Sequence, residues 1–143
     1  ISALKKKYKE DLLVGAGTVL DGTTARLAIM SGAQFIIAPC YDDGVAQICN
    51  LYQIPYAPGC TSYTEMLTAL KAGASFIKAF PISNYYGPSL AKVVKVPCPQ
   101  VPVMASGGAD CVGLGGLLTK GSTEEIAANA KKLRDIVTDV RKG

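Results

Sequence analysis

The chain has 143 residues, 49% of them hydrophobic, and a formal net charge of +4, which bounds it to one ordinary core and a single domain, 1–143. No apolar run reaches the roughly 18 residues that cross a bilayer, and no signal-peptide core follows the charged opening KKKYKE, so a soluble cytoplasmic protein without a membrane partner is expected. The lysines gather in KKKYK and KKLRDIVTDVRKG as solvated helix faces, without the interleaved aromatics of a nucleic-acid stripe.

The five cysteines, Cys40, Cys49, Cys60, Cys98 and Cys111, form no CxxC pair, and an odd count fits reduced thiols better than a disulfide framework. There is no histidine. That removes Ser-His-Asp and Cys-His nucleophiles and every His-ligated metal site. Acid–base chemistry falls to carboxylates, lysine, tyrosine, hydroxyls or water.

In chain order, LLVGAGTVL (12–20) predicts a strand opening into a glycine loop, and TTARLAIMSGA a helix ending at Gly32. QFIIAP (34–39) predicts a strand, DDGVAQICNLYQ (42–53) a helix and IPYAPG (54–59) a strand. SYTEMLTALKAG carries capping-box spacing at Ser62 and Glu65, with Gly73 closing the helix. SFIKAFP predicts a strand, PSLAKVVK a short helix, and QVPVMASGG (100–108) and DCVGLGG (110–116) two late strands. STEE opens a last helix with Ile126, Ala130, Leu133, Val137 and Val140 on one face. Met30, Met66 and Met104 are expected in the core.

Strands alternating with helices about every 20 residues indicate βαβ units and a parallel sheet. Glycines gather at the C-terminal strand ends, the edge that holds the active site in (β/α)8 barrels. About six of the eight strands of such a barrel are visible. Between the two late strands there is too little chain for a parallel crossover, which needs at least about 10 to 12 residues. The sequence therefore reads as an α/β TIM barrel seen incompletely, with a segment missing after Gly108 and the N-terminal strands absent.

Three features carry chemistry. Lys78 interrupts the otherwise apolar FIKAFP. Desolvation there would free an amine able to attack a ketone and form a Schiff base; alternatively its stem packs and its head reaches water. The diglycines of SGG (106–108) and GLGG (113–116) fall after the last two strands, where barrels bind phosphate through backbone N–H groups, although tight turns also use glycine. In GAGTV (15–19) the third glycine of a dinucleotide fingerprint is lacking, and Thr18 is either a hydroxyl for a carboxylate or a turn former. Glu65 is expected to cap its helix.

Read together, VGAGTVL, SGAQFIIAP, IPYAPGCTSYTE, FIKAFP, the GP before PCPQVP, and ASGG resemble, in order, the 2-keto-3-deoxy-6-phosphogluconate (KDPG) aldolase family, which includes 4-hydroxy-2-oxoglutarate aldolases. GADCVGLGG is similar to the family's last strand. The resemblance implies a class I aldolase that cleaves KDPG reversibly to pyruvate and glyceraldehyde 3-phosphate, with no metal or organic cofactor. It implies Lys78 as the Schiff-base lysine, Thr18 on the pyruvate carboxylate, Pro39 and Phe80 lining the pyruvyl pocket, and Ser106, Gly107, Gly108, Gly115 and Gly116 at the phosphate end. It also implies a homotrimer.

The family's general-base glutamate and its neighbouring arginine belong to a strand that would precede Ile1; Glu10 and Arg26 are not their equivalents. Ala105-Ser106 replaces the usual Pro-Thr, and Leu117 replaces a serine. The second change opens the alternatives of a galactonate-derived isomer or an unphosphorylated 4-hydroxy-2-oxo acid as substrate. Outside this activity stand a phosphosugar isomerase or epimerase, with Lys78 as an electrostatic group, and a non-catalytic barrel fragment that binds a phosphorylated ligand.

Overall fold

A computed structural model describes residues 1–81, 89–104 and 122–142, in two units, Ile1–Val112 and Gly113–Gly143. The first unit is built on parallel strands: β1 (Ile36–Ile37), β2 (Tyr56–Ala57), β3 (Gly59–Cys60), β4 (Ile77–Ala79) and β5 (Val103–Met104). β1 pairs with β2, and β3, β4 and β5 pair in that order, all parallel. β2 and β3 are one extended run interrupted at Pro58, which has no N–H to donate. Around it Ala38 N–H bonds the Ala57 carbonyl and Gly59 N–H the Ala38 carbonyl, while Lys78 N–H bonds the Pro58 carbonyl. The sheet is thus continuous across the interruption.

The expected first strand is an extended segment on the other side of β1. It makes a parallel bridge from Ala16 to Ile36, with Ala16 N–H on the Phe35 carbonyl at 3.1 Å and Ile37 N–H on the Ala16 carbonyl at 2.8 Å. Strands consecutive in sequence are therefore neighbours in space, from the segment at Ala16 to β5, as in a series of parallel βαβ units.

The crossover helices form where capping residues start them. Asp21 accepts the Thr24 N–H at the start of α2 (Gly22–Met30), and Asp42 accepts the Val45 N–H at the start of α3 (Asp43–Tyr52). At α4 (Tyr63–Lys71) both halves of the Ser62–Glu65 capping box are made. Gly32 and Gly73 follow the ends of α2 and α4 at φ 98° and 90°, a region open to glycine without a Cβ penalty. α5 (Leu90–Lys95) precedes β5. The solvated helix face expected at KKKYK belongs to α1 (Ser2–Tyr8), which buries none of its residues. Its Ser2 hydroxyl donates to the Ser31 carbonyl beyond α2.

The helices pack on one face of the sheet. Ala25, Val45, Ala46 and Cys49 meet Ile36, Ala38 and Tyr56; Met66, Ala69 and Val94 meet Cys60, Ile77 and Val103. Each large aliphatic side chain fully buried there contributes about 1.5–3 kcal/mol. Of the methionines, Met66 belongs to this core, but Met30 is 69% exposed and corrects the expectation. α2 turns Ala25, Ala28 and Ile29 inward, and helical spacing then carries Leu27 and Met30 to the outer side.

In the second unit, α6 (Thr123–Lys142) is the expected last helix. Ser122 N–H donates to the Glu125 carboxylate and Glu125 N–H to the Ser122 hydroxyl, a reciprocal cap. The late strand 110–116 and the break after Gly108 lie outside the described residues.

Candidate active site

Successive residues of a strand face opposite sides, so the register defines the face the helices leave open. Ile37 stands beside Ala57, and Gly59, Lys78 and Met104 form a row across β3, β4 and β5. Leu13, Phe35, Ile37, Ala57, Phe76 and Met104 border an apolar hollow of about 390 Å³. Lys78 lies one pleat beyond Phe76, toward the C-terminal edge of the sheet.

The half-buried Lys78 therefore has on one side the thioether of Met104 and on the other a residue without a side chain. Gly59 is required there by a close approach of backbone: a Cβ would stand 2.0 Å from the Pro39 carbonyl oxygen. The packing of the Pro39 carbonyl on Gly59 places the end of β1 against the strand beside Lys78. The Lys78 Nζ sits 4.2 Å from the centre of the Phe80 ring, a cation–π distance. Among the described residues, the ion pairs do not include Lys78.

Thr18 follows the extended segment, with φ at 57°. For a β-branched residue this is a genuine outlier, costing on the order of 1–3 kcal/mol, and such strain collects at functional sites. The surroundings impose it: Ala16 is bonded on both sides to β1, Val19 N–H bonds the Ile37 carbonyl, and Val19 is buried. Thr18 itself is exposed.

Thr18, Pro39 and Phe80 thus all fall just past the C-terminal ends of neighbouring parallel strands. Lys78, Gly59 and Pro39 are linked through register and backbone contact, and Lys78 and Phe80 through the ring. Ser106, Gly107, Gly108, Gly115 and Gly116 lie outside the described residues, as do Ala105 and Leu117. Met104, expected in the core, is half-buried on the open face, in register with Lys78.

Other polar groups at this edge are committed to structure. The Glu65 carboxylate accepts from Thr61 N–H at 2.6 Å, the Thr61 hydroxyl at 2.8 Å and Ser62 N–H at 2.9 Å. These bonds, Thr61's first, hold it below the usual carboxylate range. The Tyr41 hydroxyl donates to Asp43, which pushes it up to about 12. Burial raises the Cys60 thiol to about 12 and the Cys49 thiol to about 11, keeping both protonated and inert at neutral pH. The role of Gly59 and the Phe80 ring contact were missed in sequence; the Pro-Gly that ends IPYAPG and the two-residue spacing of Lys78 and Phe80 were the available signals.

A family profile described as "Aldolase: KDPG and KHG aldolase" matches residues 1–128. The chain is 32% identical over 157 residues to a 2-dehydro-3-deoxy-6-phosphogalactonate aldolase of Escherichia coli K12, covering 96% of this chain and 76% of that protein. It is 36% identical over 108 residues to a 2-dehydro-3-deoxy-phosphogluconate aldolase of Treponema pallidum, covering 76% of this chain and 51% of that one. The chain thus spans about half the length of the gluconate relative. Among solved structures it is similar to a KDPG aldolase from Legionella pneumophila with pyruvate captured as a covalent carbinolamine intermediate, at TM-score 0.73 and 25% identity over 90% of this chain and 68% of that one.

Proposed function

The chain belongs to the KDPG and KHG aldolase family, and we propose from that premise that it is a class I aldolase with Lys78 as its nucleophile. The observation that carries this reading is the placement of Lys78: among the described residues it is the lysine that stands in a strand of the parallel sheet, on the face opposite α2 to α5, with the Phe80 ring 4.2 Å from its Nζ.

The neutral Lys78 amine adds to the keto carbonyl of a 2-keto-3-deoxy sugar acid. Loss of water gives an iminium. The C3–C4 bond then breaks, its electron pair entering the iminium to form an enamine, while the C4 hydroxyl loses its proton and C4 leaves as the aldehyde. Protonation of the enamine at C3 and hydrolysis return the amine and release pyruvate. The proton from C4 requires a base, and the glutamate that the resemblance assigns to this step has no counterpart in this sequence. In this reading Thr18, placed just past the extended segment that bridges β1, holds the carboxylate. Pro39 and Phe80 line the pyruvyl pocket, and Ser106, Gly107, Gly108, Gly115 and Gly116 receive the phosphate.

The same reading takes residues 1–143 as part of a single (β/α)8 barrel. Sequential parallel strands with helices on one face support it. A barrel also explains the hollow on the other face as interior. The alignment to the galactonate relative runs over 157 residues against the 143 of this chain, so it includes residues of that relative with no counterpart here, which supports a shortened region. A cytoplasmic homotrimer acting in the Entner-Doudoroff route completes the reading by family likeness.

A second substrate is favoured by one observation: the galactonate relative aligns over 96% of this chain, the gluconate relative over 76%. Both phosphorylated isomers cleave to the same products, so pyruvate release measured separately from each decides between them. Faster turnover of the galactonate isomer assigns it as substrate; release from neither, with pyruvate alone still forming an adduct, points to an unphosphorylated 4-hydroxy-2-oxo acid.

A further inference from the structure

Lys78 and Phe80 are two residues apart on the same face, and the ring stands 4.2 Å from Nζ. The residues in register with Lys78, Gly59 and Met104, are not titratable. Of the titratable groups on the elements packed against β4, Tyr63 of α4 donates to the Val93 and Val94 carbonyls and Lys71 is exposed in the last turn of α4, in the helix layer. Cys60 faces the helix layer within the core. Glu65 of α4 is taken by Thr61 and Ser62. Among the described residues, the aromatic face is the group positioned to meet the charge of Nζ.

Resting on the aldolase reading, we propose that Phe80 is a positioning residue whose ring holds the Lys78 nitrogen as a cation both before the keto acid arrives and after the iminium forms. The amine adds to the carbonyl as the neutral species and returns to positive charge when water leaves. A ring quadrupole favours the charged form at each end of that sequence and does not form a bond with the nitrogen, unlike a carboxylate, which would also compete as a hydrogen-bond acceptor. Phe80 is 41% exposed, which keeps the interaction near the exposed end of its range.

Two consequences of opposite sense follow; loss of pocket lining alone would produce the second but not the first. In Phe80→Leu the ammonium loses its ring, so the pH midpoint of borohydride-trappable adduct formation moves down by about half a pH unit. Above that midpoint the amine is already neutral and only the iminium loses support, so the pyruvate concentration for half-maximal trapping rises about threefold. Phe80→Tyr keeps the ring and moves the pH midpoint less than Phe80→Leu does. Phe80→Trp, with the stronger quadrupole, moves the midpoint up, which keeps the test available if the leucine variant fails to fold. The measurement is the yield of reduced pyruvate adduct by intact mass across pH and pyruvate concentration, with circular dichroism on each variant. Opposed movements in the leucine variant, or an upward midpoint in the tryptophan variant, support the proposal. A wild-type adduct with midpoints unchanged in every folded variant overturns it and leaves the aldolase reading standing. No adduct in the wild type overturns both.

Discussion

The helix-covered face of the sheet and its open face differ residue by residue along the same strands. On the covered face Ile36, Tyr56, Cys60, Ile77 and Val103 are each no more than 2% exposed. Their neighbours along the strands, on the open face, are Ile37, Ala57, Gly59, Lys78 and Met104, with a glycine and a lysine where the other face has a thiol and an isoleucine. The pleat separates two tasks that compete elsewhere in proteins: one side of β4 is packed for stability, and the adjacent residue is half-buried and carries a charge. Ile77 and Lys78 are the sharpest form of the contrast.

The comparison breaks if substitutions on the two faces have similar consequences. Lys78→Ala is expected to reduce pyruvate exchange to background while the denaturant midpoint stays close to wild type, since the half-buried stem has few neighbours to lose; retained exchange contradicts the assignment. Ile77→Ala, one residue away, is expected to lower stability by about 2–5 kcal/mol in urea unfolding, with the folded fraction still forming the adduct. Gly59→Ala tests the seam between the faces. Its Cβ would meet the Pro39 carbonyl oxygen at 2.0 Å, so a loss of about 1–3 kcal/mol from overpacking is expected. The shift it forces falls on the residue in register with Lys78, so trapping falls in protein that remains folded.

The smallest effect is electrostatic and lies away from the chemistry. Glu65→Gln weakens the cap of α4, costing about 1 kcal/mol at neutral pH. Because the folded protein holds the Glu65 carboxyl below its ordinary value of 4.5, that contribution is present above 4.5 and is lost as pH falls through the lower, folded value. The stability difference between wild type and the variant should therefore close in acid, as read from urea midpoints at neutral and acidic pH; a difference that persists unchanged in acid would contradict the carboxylate's role.

Features set by local chemistry were legible in sequence. Ser62 and Glu65 predicted the α4 capping box, Ser122 and Glu125 the start of α6, and Gly32 and Gly73 the helix ends. A lysine in an apolar strand was visible as an anomaly. What depends on three dimensions was not legible. Met30 was placed in the core by composition, whereas the α2 helical repeat turns it outward. Pro58 splits one expected strand into β2 and β3 because its missing N–H falls where the strand changes partner. Neither the Pro39–Gly59 contact nor the strained backbone of Thr18 leaves a periodic trace, since each is imposed by a neighbouring strand.

The most direct test of the central claim is a peptide mass map of the protein after incubation with pyruvate and borohydride. The account predicts a single reduced pyruvate on the peptide that contains Lys78 and none on that peptide in Lys78→Ala. An adduct on a different lysine, or no adduct, would contradict it.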